Sequence, residues 1–313
     1  MKAETTPKTT FPYTNFGVWG IARCASVESP YILWTNDQLT EVSTPEGTQT
    51  NQQVSNVVFT PSSDAYWLRD YTYNFLAVAP YDDEGFELKS ISDDVKDQLT
   101  FLYDVSSRYE GGNYTFDLLG ATAEQPVTTG GYNQTQPLIF WHLFSQIEIE
   151  NIGFAKGING TVTKILMKSY PSAVYTIEYD ESIEDSTKPT KINCDAITEN
   201  SDGTPADKAE ISFEKPAFGT ANPIVNIIPQ LVSGLELYID FTINEGTDSA
   251  PVKVQYTDFK INLNVSGNPT EYVPNGKYNW TITIGAKNAI SFKVVTVTPW
   301  KEATPKIDEI PLT

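Results

Sequence analysis

EYVPNGKYNWTITIG, residues 271–285, followed by AKNAISFKVVTVTPW up to Trp300, is the stretch from which the fold is read. Pro274-Asn275-Gly276 is turn chemistry: proline presets φ, and asparagine and glycine tolerate positive φ. Beyond it, Tyr278, Trp280, Ile282 and Ile284 fall on one face, with Asn279, Thr281 and Thr283 on the other. A loop over residues 285–289 leads into a second strand over 290–298. Two such strands make a hairpin that buries one aromatic-rich face, which closes a β-sandwich rather than building an active site.

The same period of two recurs upstream. Leu235, Leu237, Ile239, Phe241 and Ile243 alternate with Glu236, Tyr238, Asp240 and Thr242. Phe259, Ile261, Leu263 and Val265 alternate with Lys260, Asn262 and Asn264, and residues 145–150 and 175–179 behave alike. These read as antiparallel strands with one wet face. Earlier strand candidates are 16–22, 57–60, 71–79 and 114–118. One segment breaks the pattern: Ser92-Asp93-Asp94 resembles an N-cap with acids in the first turn, and Ile91, Val95, Leu99 and Leu102 form a helical stripe. A short surface helix over a sheet edge is expected there. Polar stretches at 41–53, 121–136, 180–191 and 199–208 read as loops. Length suggests two domains, and the composition shift near 136 divides the chain into 1–136 and 137–313. The expected fold class is all-β: two tandem antiparallel β-sandwich domains, with a short helix in the first.

A formal charge of −19 and a pI near 4.4 leave no basic stripe for nucleic acid and argue against anionic lipid. No apolar run approaches the ~18 residues of a membrane span. Met1-Lys2-Ala3 and the Thr-rich stretch after it lack the apolar core of a signal peptide. Cys24 and Cys194 are too few for a disulfide scaffold and are expected to stay unbridged.

Candidate chemistry is sparse. His142 is the single histidine and lies between Trp141 and Leu143, in a strand-like run that suits a core or interface residue. The cysteines lack zinc spacing. Asp82-Asp83-Glu84-Gly85 and Asn200-Ser201-Asp202-Gly203 do not match a calcium loop. Nucleophile-elbow, Walker and dinucleotide motifs are absent. No catalytic residue, cofactor or metal ligand is assigned. Trp19, Trp34, Tyr66-Trp67 and residues 71–75 could form a sugar-stacking platform or fill a sandwich core.

Several blocks resemble those of the fimbrillin-like proteins, the pilus subunits of Bacteroidales. They are FGVWGIA at 16–22, YNFLAVAPY at 73–81, the run 97–104, FDLL at 116–119, FWHLFSQIEI at 140–149, IIPQ at 227–230 with the strand after it, and the closing hairpin with Trp300. Their order covers most of residues 11–300. The resemblance implies two transthyretin-like β-sandwich domains, export as a lipoprotein to the outer membrane surface, and polymerisation by strand exchange with other fimbrial subunits. It also implies loss of an N-terminal strand after a basic residue. Lys8 marks a candidate processing neighbourhood, while Arg23, inside an apparent strand, fits less well. No lipobox cysteine is visible, so a trimmed exported N-terminus is expected.

Losing one strand would expose a hydrophobic groove with unpaired backbone groups, which an incoming strand can fill. The candidate donor is the tail after Trp300, carrying Ile307, Ile310 and Leu312, although their spacing is not cleanly period two and a frayed polar terminus is the competing reading. Two alternatives stand beside the structural subunit: a surface glycan-binding β-sandwich lipoprotein, and a tip adhesin of the same family with a host or bacterial surface ligand.

Overall fold

The computed structural model describes residues 15–23, 31–43, 58–61, 70–81, 84–92, 97–125, 138–179, 190–244, 250, 252–266, 268–285 and 290–299. The first strands are β1 (Asn15–Arg23), β2 (Tyr31–Ser43), β3 (Val58–Pro61), β4 (Thr72–Ala79), β5 (Phe86–Ser92) and β6 (Gln98–Asp104). Helix α1 (Ser106–Glu110) follows, then β7 (Leu119–Gln125), β8 (Ile139–His142), β9 (Ser145–Phe154), β10 (Asn159–Ser169), β11 (Ser172–Tyr179) and β12 (Thr190–Ala196). The rest are β13 (Ala209–Glu214), β14 (Ile224–Ile227), β15 (Gln230–Leu231), β16 (Glu236–Asn244), β17 (Lys253–Ile261), β18 (Glu271–Tyr272), β19 (Gly276–Ile284) and β20 (Ile290–Pro299).

The described residues are all-β apart from short helical turns, as the alternation requires. Six strands form one sheet in the order β3-β2-β1-β4-β7-β8. Four-stranded sheets run β13-β10-β16-β17, β12-β11-β6-β5 and β14-β9-β19-β20. Strands from both sides of residue 136 share sheets, since β8 pairs with β7 and β11 pairs with β6. One apolar cluster joins Trp19, Leu76, Phe101, Tyr175, Phe241 and Trp280.

The closing hairpin forms as read. β19 pairs antiparallel with β20, and Tyr278, Trp280, Ile282 and Ile284 are all buried. Its other neighbour is β9, in a parallel pairing that sets Trp280 opposite Ile149. The alternation at Leu237, Ile239, Phe241 and Ile243 likewise buries one face of β16.

Three local expectations need correction. Leu99 and Leu102 lie in strand β6 and not on a helix: Leu99, Phe101 and Tyr103 are buried in alternation, and the aromatic pattern of a strand overrides the coincidental helical spacing. The α-helix of the first half comes later, at Ser106–Glu110, where Asp104 Oδ1 accepts a 2.7 Å hydrogen bond from the Ser106 N–H and Tyr109 supplies the buried anchor. Residues 114–118 are not a strand. Asn226 pins them as a connection: its Nδ2 donates to the carbonyls of Thr115 and Phe116 at 3.0 and 3.1 Å. Residues 121–125, read as loop, belong to β7, where Ala121 and Ala123 fit opposite Ala77 and Phe75 of β4. Ala121 also faces Phe140 of β8, and pairing on both edges wins there over alanine's weak strand preference.

Two further boundaries move. The expected strand over 259–265 stops at Ile261, where Asn262 Oδ1 accepts the Asn264 N–H at 3.1 Å and turns the chain. The block at 140–149 is two strands, broken at Leu143 and Phe144, both buried, so β8 and β9 enter different sheets.

Candidate functional site

β1 is the strand whose placement matters most. Although it lies near the start of the sequence, it occupies the interior of the six-stranded sheet, antiparallel to β2 on one side and β4 on the other. Phe16, Val18 and Ala22 pack with Tyr73, Phe75 and Phe140 on one face. Trp19 and Ile21 join the main core on the other. Both faces of β1 are therefore apolar and buried, and so are both faces of β4, where Leu76 and Val78 oppose Phe75 and Ala77. A strand of this kind supplies hydrogen bonds on both edges and hydrophobic surface on both faces.

The strand ends on a charge anchor. Arg23 Nε lies 3.1 and 3.3 Å from the two carboxylate oxygens of Asp97, a second guanidinium nitrogen binds the same group, and the Asn74 amide also donates to it. The Asp97 side chain is almost wholly buried. A forked guanidinium is well suited to a buried carboxylate, and the amide completes its coordination.

A cleft of about 520 Å³ opens beside β12. Ile192, Trp141, Val273 and Pro274 are apolar members of its lining. Asn193, Asp195, Glu271 and Asn275 are polar ones. β12 is an edge strand of its sheet, and Glu271 belongs to the two-stranded ribbon β15-β18. Cys194 also lines the cleft as a free, half-buried thiol. Burial pushes that thiol up to about 12, with Asp195 and Glu271 adding to the rise against a hydrogen bond with Tyr175. A thiol held so high stays protonated and unreactive.

His142 is a buried structural residue, in keeping with the sequence reading. Its Nδ1 meets Asp117 Oδ2 at 2.5 Å. Burial raises the Asp117 carboxyl above its usual range, opposed by the hydrogen bond and charge of His142. The acidic turn at 200–204 satisfies itself: Asp202 Oδ1 accepts from the Thr204 N–H at 2.9 Å and from its hydroxyl at 2.6 Å. Among the described residues no group of three or more His, Cys, Asp or Glu is placed to hold a metal ion.

The fimbrillin-like family model matches residues 28–300. The chain belongs to the fimbrillin-like family. Membership makes it a fimbrial protein, hence an exported, cell-surface protein that assembles with other fimbrial subunits. A fimbrial protein from Bacteroides vulgatus is similar in structure, with a TM-score of 0.54 at 16% identity, over 91% of this chain and 93% of that one. A cell-adhesion candidate from Bacteroides uniformis gives a TM-score of 0.48 at 16% identity, covering 94% of each chain. A fimbrial assembly protein from Parabacteroides distasonis gives 0.37 at 9% identity, over 95% and 94%. No sequence match is found among curated proteins.

In this fimbrillin-like chain the expected assembly residues Lys8, Ile307, Ile310 and Leu312 lie outside the described residues, as do Cys24, Tyr66 and Trp67. Of the aromatic residues suggested as a stacking platform, Trp19, Tyr73 and Phe75 are buried in the cores. The cleft was not anticipated, because its walls come from positions 141, 192–195, 229, 271 and 273–275, which no local pattern connects. No helix among the described residues is long and apolar enough to cross a membrane.

Proposed function

We propose that this fimbrillin-like chain is a structural subunit of a surface fimbria, without catalytic activity, that polymerises by donor-strand exchange. The observation that carries this reading is the position of β1. It precedes every other described strand in sequence, yet it sits inside a sheet, between β2 and β4, with both faces in apolar cores. Taking it away would leave a slot with unpaired edges on two strands and hydrophobic walls above and below. An extended apolar segment of another subunit fits such a slot by β-augmentation.

The geometry bears on where processing would act. A cut after Lys8 would leave β1 in the sheet, whereas a cut after Arg23, its last residue, would release it. Arg23 is therefore the better processing candidate. The donor is the tail at 301–313, with Ile307, Ile310 and Leu312 as the side chains that would fill the slot. Export as a lipoprotein to the outer membrane completes the proposal.

The test is polymerisation after one cut at a protease site engineered behind Arg23, since trypsin would also cut the tail at Lys301 and Lys306. The full chain should form fibres visible by negative-stain electron microscopy, and a chain ending at Trp300 should not. Fibres formed equally well without the tail would defeat the donor assignment.

A further inference from the structure

The cleft beside β12 contains no β1 residue and plays no part in the proposed strand exchange. We propose that it binds a neutral sugar residue of a glycan. Its volume, about 520 Å³, falls within the range of ~300–1,000 Å³ common to small-ligand sites. Val273, Pro274 and Trp141 bring carbon surface to its lining, suited to a ring's C–H face. Beside them, Asn193 and Asn275 add amides and the side-chain oxygens of Asp195 and Glu271 add acceptors. That mixture matches neighbouring sugar hydroxyls, each of which both donates and accepts.

Three observations narrow the ligand. Asn275 Oδ1 is buried without a hydrogen-bond partner among the described residues, and leaving a buried acceptor unmet is costly. Among the described residues no ion pair holds Asp195 or Glu271, which keeps both free to accept and turns anionic ligands away. The protonated Cys194 thiol rules out covalent capture.

Saturation-transfer NMR on the full monomeric chain tests this, with methyl glycosides of glucose, galactose, mannose, fucose and N-acetylglucosamine as probes and N-acetyl-lysine amide as the cationic control. Because the readout needs no fibre, it stands or falls separately from strand exchange. At least one glycoside should receive saturation. Its affinity should fall about tenfold in Asn275→Gly, which keeps the turn, and similarly in Glu271→Gln, which keeps the shape. Thermal midpoints of both variants check that the fold persists. Silence across the glycosides overturns the proposal, as does unchanged affinity in both variants. Binding of the lysine probe alone, lost in Asp195→Asn, would reassign the cleft to basic side chains.

Discussion

Arg23 closes β1 by gripping the carboxylate of Asp97, 74 residues further along the chain. Arg23 is about one-third exposed (36%) while Asp97 is 2% exposed, so the pair ties the end of β1 to a buried charge at the start of β6. Removing the guanidinium leaves that charge with the Asn74 amide as its remaining side-chain partner among the described residues. Arg23→Gln should cost about 2 kcal/mol, less than the loss typical of a fully buried pair because Arg23 is partly solvated. Asp97→Asn, which removes the charge itself, should cost less. Urea denaturation of both variants measures the difference.

The His142–Asp117 pair should give a pH-dependent signature when broken. Burial raises the Asp117 carboxyl, and His142 is what opposes the rise. In His142→Gln the folded-state value climbs further above the unfolded value of about 3.9. Folding then favours the protonated acid, so the penalty grows as pH rises above the unfolded value and shrinks as pH falls toward it. The variant should lose about 3 kcal/mol at pH 7 and much less near pH 4. Thermal melts across that window are the measurement. A pH-independent deficit would speak for lost packing alone.

Glu236 titrates in the opposite sense. The Tyr238 hydroxyl first, then Lys208 and Lys260, hold its carboxyl down at about 2. A depressed folded value contributes stability above the unfolded value of about 4.3, and that stability is lost as pH falls toward 2. Glu236→Gln should be about 1 kcal/mol less stable at pH 7 and should converge with the parent chain below pH 3. Paired denaturation curves at the two pH values decide it.

The Asn226 side chain is one of the holds on the connection at 114–118, beside backbone hydrogen bonds at Tyr114 and Leu118. Tyr109 donates its hydroxyl to the Asn226 carbonyl at 2.7 Å, and the Asn226 amide holds the carbonyls of Thr115 and Phe116. Tyr109→Phe should cost about 1 kcal/mol, while Asn226→Ala, which orphans several buried groups, should cost about 2–3 kcal/mol. Hydrogen exchange should also rise at residues 114–118 in the second variant and not in the first.

The sequence carried the strands with one wet face most clearly. Tyr278 to Ile284 and Leu237 to Ile243 alternate because solvent meets every second residue, and both segments fold as read. It misled where a different rule governed. At Leu99 a helical spacing of apolar residues coincided with a strand's aromatic alternation. At Ala121 and Ala123 the strand depends on pairing with β4 and β8 across the sheet, which local preference does not register. Tyr114 to Leu118 is extended in composition but held by a distant asparagine. The interior place of β1 was likewise hidden, since strand order is a property of pairing and not of any one segment.

The intact mass of the subunit recovered from assembled fibres tests strand exchange most directly. A chain that begins at Cys24 and has lost residues 1–23, β1 included, is the expected result. Fibres whose subunits retain residues 15–23 would contradict it, because β1 would still fill the slot that the incoming strand needs.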